Sequence, residues 1–174
     1  MAYTHTTANW QDPTHFEEAI QGIKEQEQAL QFQTFDFEFA RKIGENIQEQ
    51  MKALHENGKG PNSATALISI RLWSGLTLLQ DTYGSGVTVS NEDWARRKAN
   101  TVRTHGKSSF LVGRELVKKG RDINSLGAEY AAHGGAFPIN LKGLNTGPIG
   151  AIIVSGLDQW QDHHVIVEAL RSLI

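Results

Sequence analysis

Two β-rich runs joined by a short glycine-containing connection constrain this fold more than any other feature of the sequence. Residues 64–73 read ATALISIRLW, and residues 76–82 read LTLLQDT. Ser74-Gly75 lies between them, and glycine adopts the backbone conformation that a two-residue hairpin turn requires. The pattern predicts an antiparallel hairpin. Strands that follow one another as hairpins favour an antiparallel sheet with helices packed on its faces.

Helical patterns precede this hairpin. Residues from Thr14 to about Leu30 carry apolar side chains near helical spacing, and the alternation after them predicts a short strand at 32–35. Asp36 is predicted to cap a second helix, which Asn-Gly-Lys-Gly-Pro at 57–61 ends. Spacings of four, four and three residues predict the buried face of that helix: Ile43, Ile47, Met51 and Leu54.

Two more predicted helices follow the hairpin. Ser90 and Asp93 resemble a capping box, which starts a helix that extends to His105. Ser108 is predicted to begin the next helix, which ends near Lys119 and is closed by a glycine. Helices therefore account for most of the chain between the hairpin and the remaining strands.

Two strands and one helix complete the predicted order of elements. The strands lie around 137–141 and 149–155, and Asp162 is predicted to be the N-cap of the last helix. No composition shift marks a linker, and no low-complexity tract occurs. Residues 15–174 are therefore predicted to form a single domain of the α/β (α+β) class, preceded by an N-terminal extension at 1–14.

Composition excludes several kinds of site. Of the 174 residues, 39% are hydrophobic and 21% are charged, which is ordinary for a globular domain. The absence of cysteine excludes disulfides, thiolate zinc sites and cysteine nucleophiles. No apolar run approaches membrane-spanning length, and the first residues lack a signal-peptide pattern. We therefore expect a cytoplasmic protein that does not bind membranes.

One segment is strongly basic although the net charge is −2. Residues 94–121 hold nine Lys and Arg residues against a single acid. One interpretation is a solvated helix face, which suits the basic residues near a helix C-terminus. The other is a site for carboxylates, phosphates or an acidic partner, whose candidate residues are Arg96, Arg97, Lys98 and Arg103. A pI near 6.4 argues against nucleic-acid binding.

The string His-Gly-Gly-Ala-Phe-Pro at 133–138 is the most unusual local sequence. Paired glycines permit positive φ angles and close approach of the backbone to a ligand. Gly134, Gly135 and Phe137 are therefore candidate ligand-binding residues beside His133. His133 itself fits a metal ligand, an acid–base group or a loop histidine bonded to a carbonyl. A tight loop that needs glycine for geometry alone is an equal alternative.

Asp162-His163-His164 contains the residue types that bind metals. Consecutive helical residues point about 100° apart, so three in a row do not converge on one ion. The positive end of the helix dipole also disfavours a charged histidine at a helix start. A neutral imidazole suits ligation, so His163 is kept beside His133 as a candidate metal ligand.

Several strings in a fixed order carry a resemblance to a known family. They are NEDWARRK at 91–98, GKSS at 106–109, EYAAHGGAFPI at 129–139 and VSGL at 154–157, with Asp162-His163 after them. In this order they resemble the haem-degrading-domain family of GlcG-like and HbpS-like proteins, and within it the cytoplasmic branch. The resemblance covers the chain from about residue 15 onwards. It implies a profilin-like fold with a five-stranded antiparallel sheet flanked by helices, homo-oligomers and, in some members, haem or iron handling.

The first functional hypothesis is an oligomeric small-molecule-binding protein, whose ligand is haem or another carboxylate-bearing molecule. Its pocket combines the 133–138 loop with Arg96, Lys98 and Arg103, because basic side chains pair with carboxylates, and arginine does so through two parallel hydrogen bonds. His133 or His163 is the candidate iron ligand.

The second hypothesis is a non-catalytic oligomeric adaptor, whose basic segment binds an acidic protein. The sequence favours it by lacking a nucleophile elbow, a phosphate loop and a dinucleotide fingerprint. The third is a hydrolase or oxygenase whose catalytic groups come from distant positions: Ser108, Ser109, His133 and Asp162. The residues alone leave open which hypothesis holds and whether the protein is an enzyme.

Overall fold

The structure, a computed structural model, describes Trp10 and residues 12–56 and 64–174. Within these ranges a short 3-10 turn at Pro13–His15 leads into the first α-helix. The elements in chain order are α1 (Phe16–Ala29), α2 (Phe37–Glu56), β1 (Ala66–Leu72), β2 (Thr77–Tyr83), α3 (Val89–His105), α4 (Ser109–Lys118), β3 (Ala136–Pro138), β4 (Gly150–Ser155) and α5 (Gln159–Arg171). None of the helices among these residues is long and apolar enough to cross a membrane.

The strands of the described residues form one antiparallel sheet in the order β2-β1-β4-β3. The predicted hairpin is confirmed, because β1 pairs with β2 and Ile70 lies opposite Leu79. Its turn is longer than the predicted two residues, since the N–H of Leu72 donates to the carbonyl of Leu76. β1 also pairs with β4, which places these two strands at the buried centre of the sheet.

The expected fifth strand is absent from the part of the chain that the structure describes. The predicted strand at 32–35 makes a single isolated bridge, which joins Phe32 to Leu141. The rings of Phe32 and Phe35 instead pack edge to face, with their centroids 4.9 Å apart. Because α2 begins at Phe37, the chain turns into a helix before a ladder can extend.

The helices cover both faces of the sheet. Ile152 and Val154 of β4 pack in the larger core with α2 and α5, whereas Ala151 and Ile153 pack against α3 on the other face. This alternation follows from the two-residue period of a strand. In α2 the predicted stripe is confirmed: Ile43, Ile47 and Met51 are fully buried, and Leu54 packs against them with partial exposure. α1 and α4 pack together in a smaller cluster beside these layers.

Two of the predicted helix starts are confirmed. The N–H of Phe39 donates to the carboxylate of Asp36 over 2.8 Å, and the N–H of Leu111 donates to the hydroxyl of Ser108 over 3.2 Å. Each bond satisfies one of the free N–H groups in a first helical turn. The predicted stop of the second helix, at 57–61, lies outside the described residues.

The predicted start of α3 is wrong by two residues. Thr88 and Asn91 form the capping box, rather than Ser90 and Asp93, and the helix begins at Val89. The N–H of Thr88 donates to the side-chain oxygen of Asn91 over 2.8 Å. Asparagine supplies the acceptor that a capping box normally takes from Glu or Gln, which is why the box was missed.

The predicted N-cap of the last helix is also wrong. Helix α5 begins at Gln159 with Asp158 at its N-cap, so Asp162 lies inside the helix. Its side chain is 2% exposed and pairs with Lys98 of α3. A partner distant in sequence therefore determines the surroundings of this carboxylate.

Candidate functional site

A cavity of about 300 Å³ opens between the first half of α3, the end of β4 and the start of α5. We call it the central cavity. Asn91, Trp94 and Lys98 of α3 line it from one helix face, because they are three and four positions apart. The lining residues are Ser90, Asn91, Trp94, Lys98, His133, Ser155, Gly156, Leu157, Gln159 and Asp162.

A buried ion pair forms part of the wall of the central cavity. The Nζ of Lys98 lies 2.7 Å from Oδ2 of Asp162, and the two side chains are 4% and 2% exposed. Lys98 also donates to the carbonyl of Val154 over 3.1 Å. An ammonium has three N–H donors, so one remains after these two bonds.

The carboxylate of Asp162 is bonded on both oxygens. Besides Lys98, it accepts the backbone N–H of Leu157 at 2.9 Å and that of Gly156 at 3.4 Å. Burial raises the pKa of Asp162, while the charge of Lys98 and these hydrogen bonds oppose the shift. Burying two charges costs several kcal/mol of desolvation per ion, in order-of-magnitude terms, so such a pair beside a cavity makes that cavity a candidate functional site.

His133 lines the same cavity as a neutral imidazole. Burial lowers its pKa, and the positive charges of Lys98, Arg97 and Arg114 lower it further against a smaller opposing contribution from an acid. The ring packs edge to face on Trp94, with centroids 5.0 Å apart. Its Nδ1 is buried and has no hydrogen-bond partner among the described residues.

Gly134 and Gly135 let the loop pass directly beside the ion pair. A Cβ on Gly134 would meet the carbonyl of Gln159, and a Cβ on Gly135 would meet Nζ of Lys98 at 2.6 Å. Gly135 also has a φ of +120°, which residues other than glycine rarely adopt. Packing geometry thus accounts for both glycines. In addition, the N–H of Gly134 donates to the side chain of Gln159 over 3.3 Å.

Two of the predicted site residues, Arg96 and Arg103, line a different surface. They lie two and five positions from Lys98, which turns them roughly 140–160° away around the helix. There they border a hollow of about 210 Å³ with Arg71 and Trp73. We call this hollow the arginine groove: Arg71, Arg96 and Arg103 around Trp73 and Leu76.

The remaining predicted residues lie in the core. Phe137 is fully buried in the sheet. The Nε2 of His163 lies 2.8 Å from Oε1 of Gln26, and its ring packs between Phe137 and Phe110 at centroid distances of 5.8 and 5.1 Å. Burial, with the charges of neighbouring basic groups, lowers the pKa of His163 to about 3. His133 lines the central cavity and His163 does not.

Among the described residues, neither a three-ligand metal set nor the two serines predicted from the sequence, Ser108 and Ser109, lies at the cavity. Within the described ranges, no three His, Cys, Asp or Glu side chains are placed to hold one metal ion. Ser108 caps α4, and the hydroxyl of Ser109 accepts the N–H of Ala136 over 3.0 Å. The structure therefore brings together Lys98, His133 and Asp162, but neither serine is part of the cavity lining.

Sequence reasoning missed most residues of the cavity wall, including Asn91, Trp94, Ser155 and Gln159. Asn91 and Trp94 could have been found, because they lie seven and four positions before Lys98 on one helical face. Gln159 and Ser155 carried no local signal, since their place depends on how β4 and α5 pack on α3.

A larger hollow of about 500 Å³ lies elsewhere, between the 31–36 loop, the start of α2 and the last residues of the chain. Its charged members include Lys42, which pairs with the exposed Glu38 at 3.0 Å. Exposed ion pairs cost little to form and indicate little about function. The buried ion pair makes the smaller central cavity the better candidate site.

Comparison with known proteins identifies the family. The chain belongs to the family described as haem degrading protein HbpS-like, whose sequence profile matches residues 35–171. A UPF0303 protein of Rhizobium etli is 42% identical over 155 residues, which is 87% of each chain. A UPF0303 protein of Paraburkholderia phymatum is 42% identical over 158 residues, again 87% of each chain. The family predicted from the sequence is therefore confirmed.

Solved structures share this fold. The crystal structure of the Ybr137w protein superposes with a TM-score of 0.74 at 27% identity, covering 88% of this chain and 86% of that one. HbpS gives 0.58 at 18% identity, covering 83% and 92%. A complex of PduOC with haem gives 0.59 at 17% identity, covering 80% and 94%. The last two likenesses concern the fold alone.

Proposed function

We propose that this protein binds a small ligand in the central cavity through a carboxylate or similar oxyanion of that ligand. The observation that supports this most strongly is the buried ammonium of Lys98 at the cavity wall. Two of its three N–H groups donate to the carbonyl of Val154 and the carboxylate of Asp162, and the third is available to a ligand. Hydrogen bonds to ionised groups are about twice as strong as neutral ones, so Lys98 favours an anion.

The negative charge of Asp162 does not prevent such a ligand from binding. Both of its oxygens accept hydrogen bonds from the protein, including two backbone N–H groups. Neutral polar side chains of Ser90, Asn91 and Gln159 complete much of the remaining wall. They can orient a ligand without adding charge, as in most small-molecule sites.

Haem is the candidate ligand that the relatives suggest. The family is described as haem degrading, and one structural relative is a complex of PduOC with haem. Haem carries carboxylates and an iron that binds imidazole. The ammonium of Lys98 and the neutral imidazole of His133 fit these two groups. A cavity of about 300 Å³ is at the small end of ligand sites, so it fits one edge of a haem or a whole small carboxylic acid.

Native mass spectrometry of the protein purified from its own host tests the proposal. We expect a non-covalent mass that disappears on denaturation, together with the subunit count of the homo-oligomer that the family resemblance implies. A retained mass equal to haem supports haem, and another acidic molecule supports the broader proposal. An oligomer without ligand, which also fails to bind added haem or small carboxylic acids, contradicts it.

Substitution of His133 tests its assignment to iron. Titration with haem, followed by absorbance, should show an altered Soret band and about tenfold weaker binding for His133→Ala. His105→Ala is the matched control, because His105 is exposed at the end of α3 and is not part of the cavity lining. An unchanged Soret band in His133→Ala shows that His133 does not bind the iron.

A further inference from the structure

The arginine groove gathers positive charge from two elements that are separate in sequence. Arg71 belongs to β1, whereas Arg96 and Arg103 belong to α3. The register between β1 and β2 shifts between Ile70 and Arg71. Such an irregularity typically re-aims a side chain. The fold therefore concentrates three guanidinium groups on one hollow beside the hairpin turn.

Contacts among the described residues use only some of the N–H donors of the three guanidinium groups. Arg71 donates to Glu92 over 2.6 Å and to the hydroxyl of Ser69 over 2.8 Å. Arg96 pairs with Glu129 at 2.6 Å, but both of these side chains are largely exposed, at 44% and 69%. Arg103 is exposed and makes no ion pair with any residue that the structure describes. Since each guanidinium has five N–H donors, the groove can bind further carboxylates.

The floor of the groove is apolar. Leu72, Trp73, Leu76 and Ala99 line it, and Leu76 is 53% exposed. Leu76 is one of the few large hydrophobic side chains with that much exposure among the described residues. An apolar floor enclosed by arginines resembles the core and rim of a protein–protein contact, in which Trp and Arg are enriched.

We propose that the arginine groove binds an acidic segment of a partner protein, in which one large apolar side chain is flanked by Asp or Glu. The apolar side chain would cover Trp73 and Leu76, and the flanking carboxylates would pair with the arginines. The exposed Arg96–Glu129 pair is of the kind that contributes little stability, so an incoming carboxylate can replace Glu129 at small cost. This site is separate from the central cavity and does not depend on the ligand proposed there.

A nucleic acid fits the groove less well than an acidic peptide. Binding along a phosphate backbone needs an extended positive track, whereas these arginines surround a hollow of about 210 Å³. Glu92 and Glu129 lie among the arginines, and the net charge of the chain is −2. The positive potential is therefore local, on the scale of a few residues of a peptide.

Fluorescence anisotropy with a labelled Glu-Asp-Phe-Asp-Glu peptide tests the proposal on the full chain. We expect binding that weakens as salt increases, because exposed charges are screened over roughly 8–10 Å at 0.1–0.15 M salt. Arg103→Glu should weaken binding about tenfold or more. Lys24→Glu is the matched control, since Lys24 is exposed on α1 and the change in net charge is the same.

A peptide with Gln and Asn in place of the acids measures the contribution of charge, and a peptide with Gly in place of Phe measures that of the apolar floor. Both should bind at least about fivefold more weakly than the parent peptide. The proposal is overturned by no binding, by equal loss in Arg103→Glu and Lys24→Glu, or by a short oligonucleotide that binds more tightly than the peptide.

Discussion

Asp162 and His163 are adjacent in the chain and both almost completely buried, yet the fold surrounds them in opposite ways. Asp162 lines the central cavity and forms an ion pair with Lys98 at 2.7 Å. His163 packs between Phe110 and Phe137 in the core, and burial keeps it neutral by lowering its pKa to about 3. One position holds a charge beside a hollow, and the next holds a neutral ring in apolar surroundings.

The difference shows how one helix can serve a site and a core at once. Neighbouring side chains on α5 point about 100° apart, so adjacent residues meet different layers of the molecule. A buried ion pair costs desolvation that a neutral hydrogen bond largely avoids. We therefore expect the Lys98–Asp162 ion pair to contribute to ligand binding. The hydrogen bond between His163 and Gln26 is expected to contribute to stability alone.

The largest expected effect comes from removing one member of the ion pair. Lys98→Met leaves Asp162 buried without its cation and should lower the free energy of unfolding by about 3–5 kcal/mol. Urea denaturation measures this. Lys118→Met is the control, because Lys118 pairs with Glu17 on the exposed surface, where a pair contributes at most about 1 kcal/mol.

The double variant Lys98→Met/Asp162→Leu separates stability from function. Replacing a buried ion pair by apolar side chains is often neutral for stability, so the double variant should recover most of what Lys98→Met loses. It should not recover binding of an anionic ligand. A double variant that still binds the ligand with normal affinity would show that the pair only supports the fold.

The sequence predicted the layers of the fold better than the site. The hairpin, the buried stripe of α2 and the caps at Asp36 and Ser108 depend on residues close together in the chain. The predicted number of strands is wrong, because residues distant in the sequence decide whether the segment at 32–35 pairs with the sheet.

Prediction of the site is limited by the same dependence on residues distant in the sequence. Lys98 and His133 were predicted as site residues and do line one cavity, but Arg96 and Arg103 lie elsewhere because of the helical rotation between them and Lys98. Asp162 was interpreted as a helix cap, since its partner is 64 positions away and leaves no local pattern. Contacts across that distance emerge only when α3 and α5 pack around the sheet.

A smaller effect on stability is expected from removing the neutral hydrogen bond between Gln26 and His163. Gln26→Leu removes the hydrogen-bond partner of His163 Nε2 and should lower the free energy of unfolding by about 1–3 kcal/mol, with ligand affinity unchanged. Gln21→Leu is the control, since Gln21 is exposed on the same helix and its amide donates to the exposed Glu25. If Gln26→Leu weakened ligand binding as strongly as Lys98→Met, the contrast between the two contacts would be wrong.

His163 also contributes to the pH dependence of stability, an effect that grows as the pH falls. Its pKa falls from 6.5 to about 3 on folding, so between these values the unfolded chain binds the proton and the folded chain does not. Stability from this group is therefore complete above pH 6.5 and decreases as the pH falls towards 3, by about 1.4 kcal/mol for each pH unit. Asp162 has the opposite sign, because burial raises its pKa and the folded state holds the proton more tightly.

The free energy of unfolding, measured by denaturation at several pH values between 6.5 and 4, isolates this contribution. His163→Gln keeps a polar group near Gln26 but cannot take up a proton, so its stability should change less with pH than that of the parent protein. His164, whose pKa burial lowers to about 4, remains in the variant and accounts for part of the residual slope. A slope that His163→Gln does not reduce would mean that the core around Phe110 admits a charged imidazole, which the apolar packing of His163 argues against.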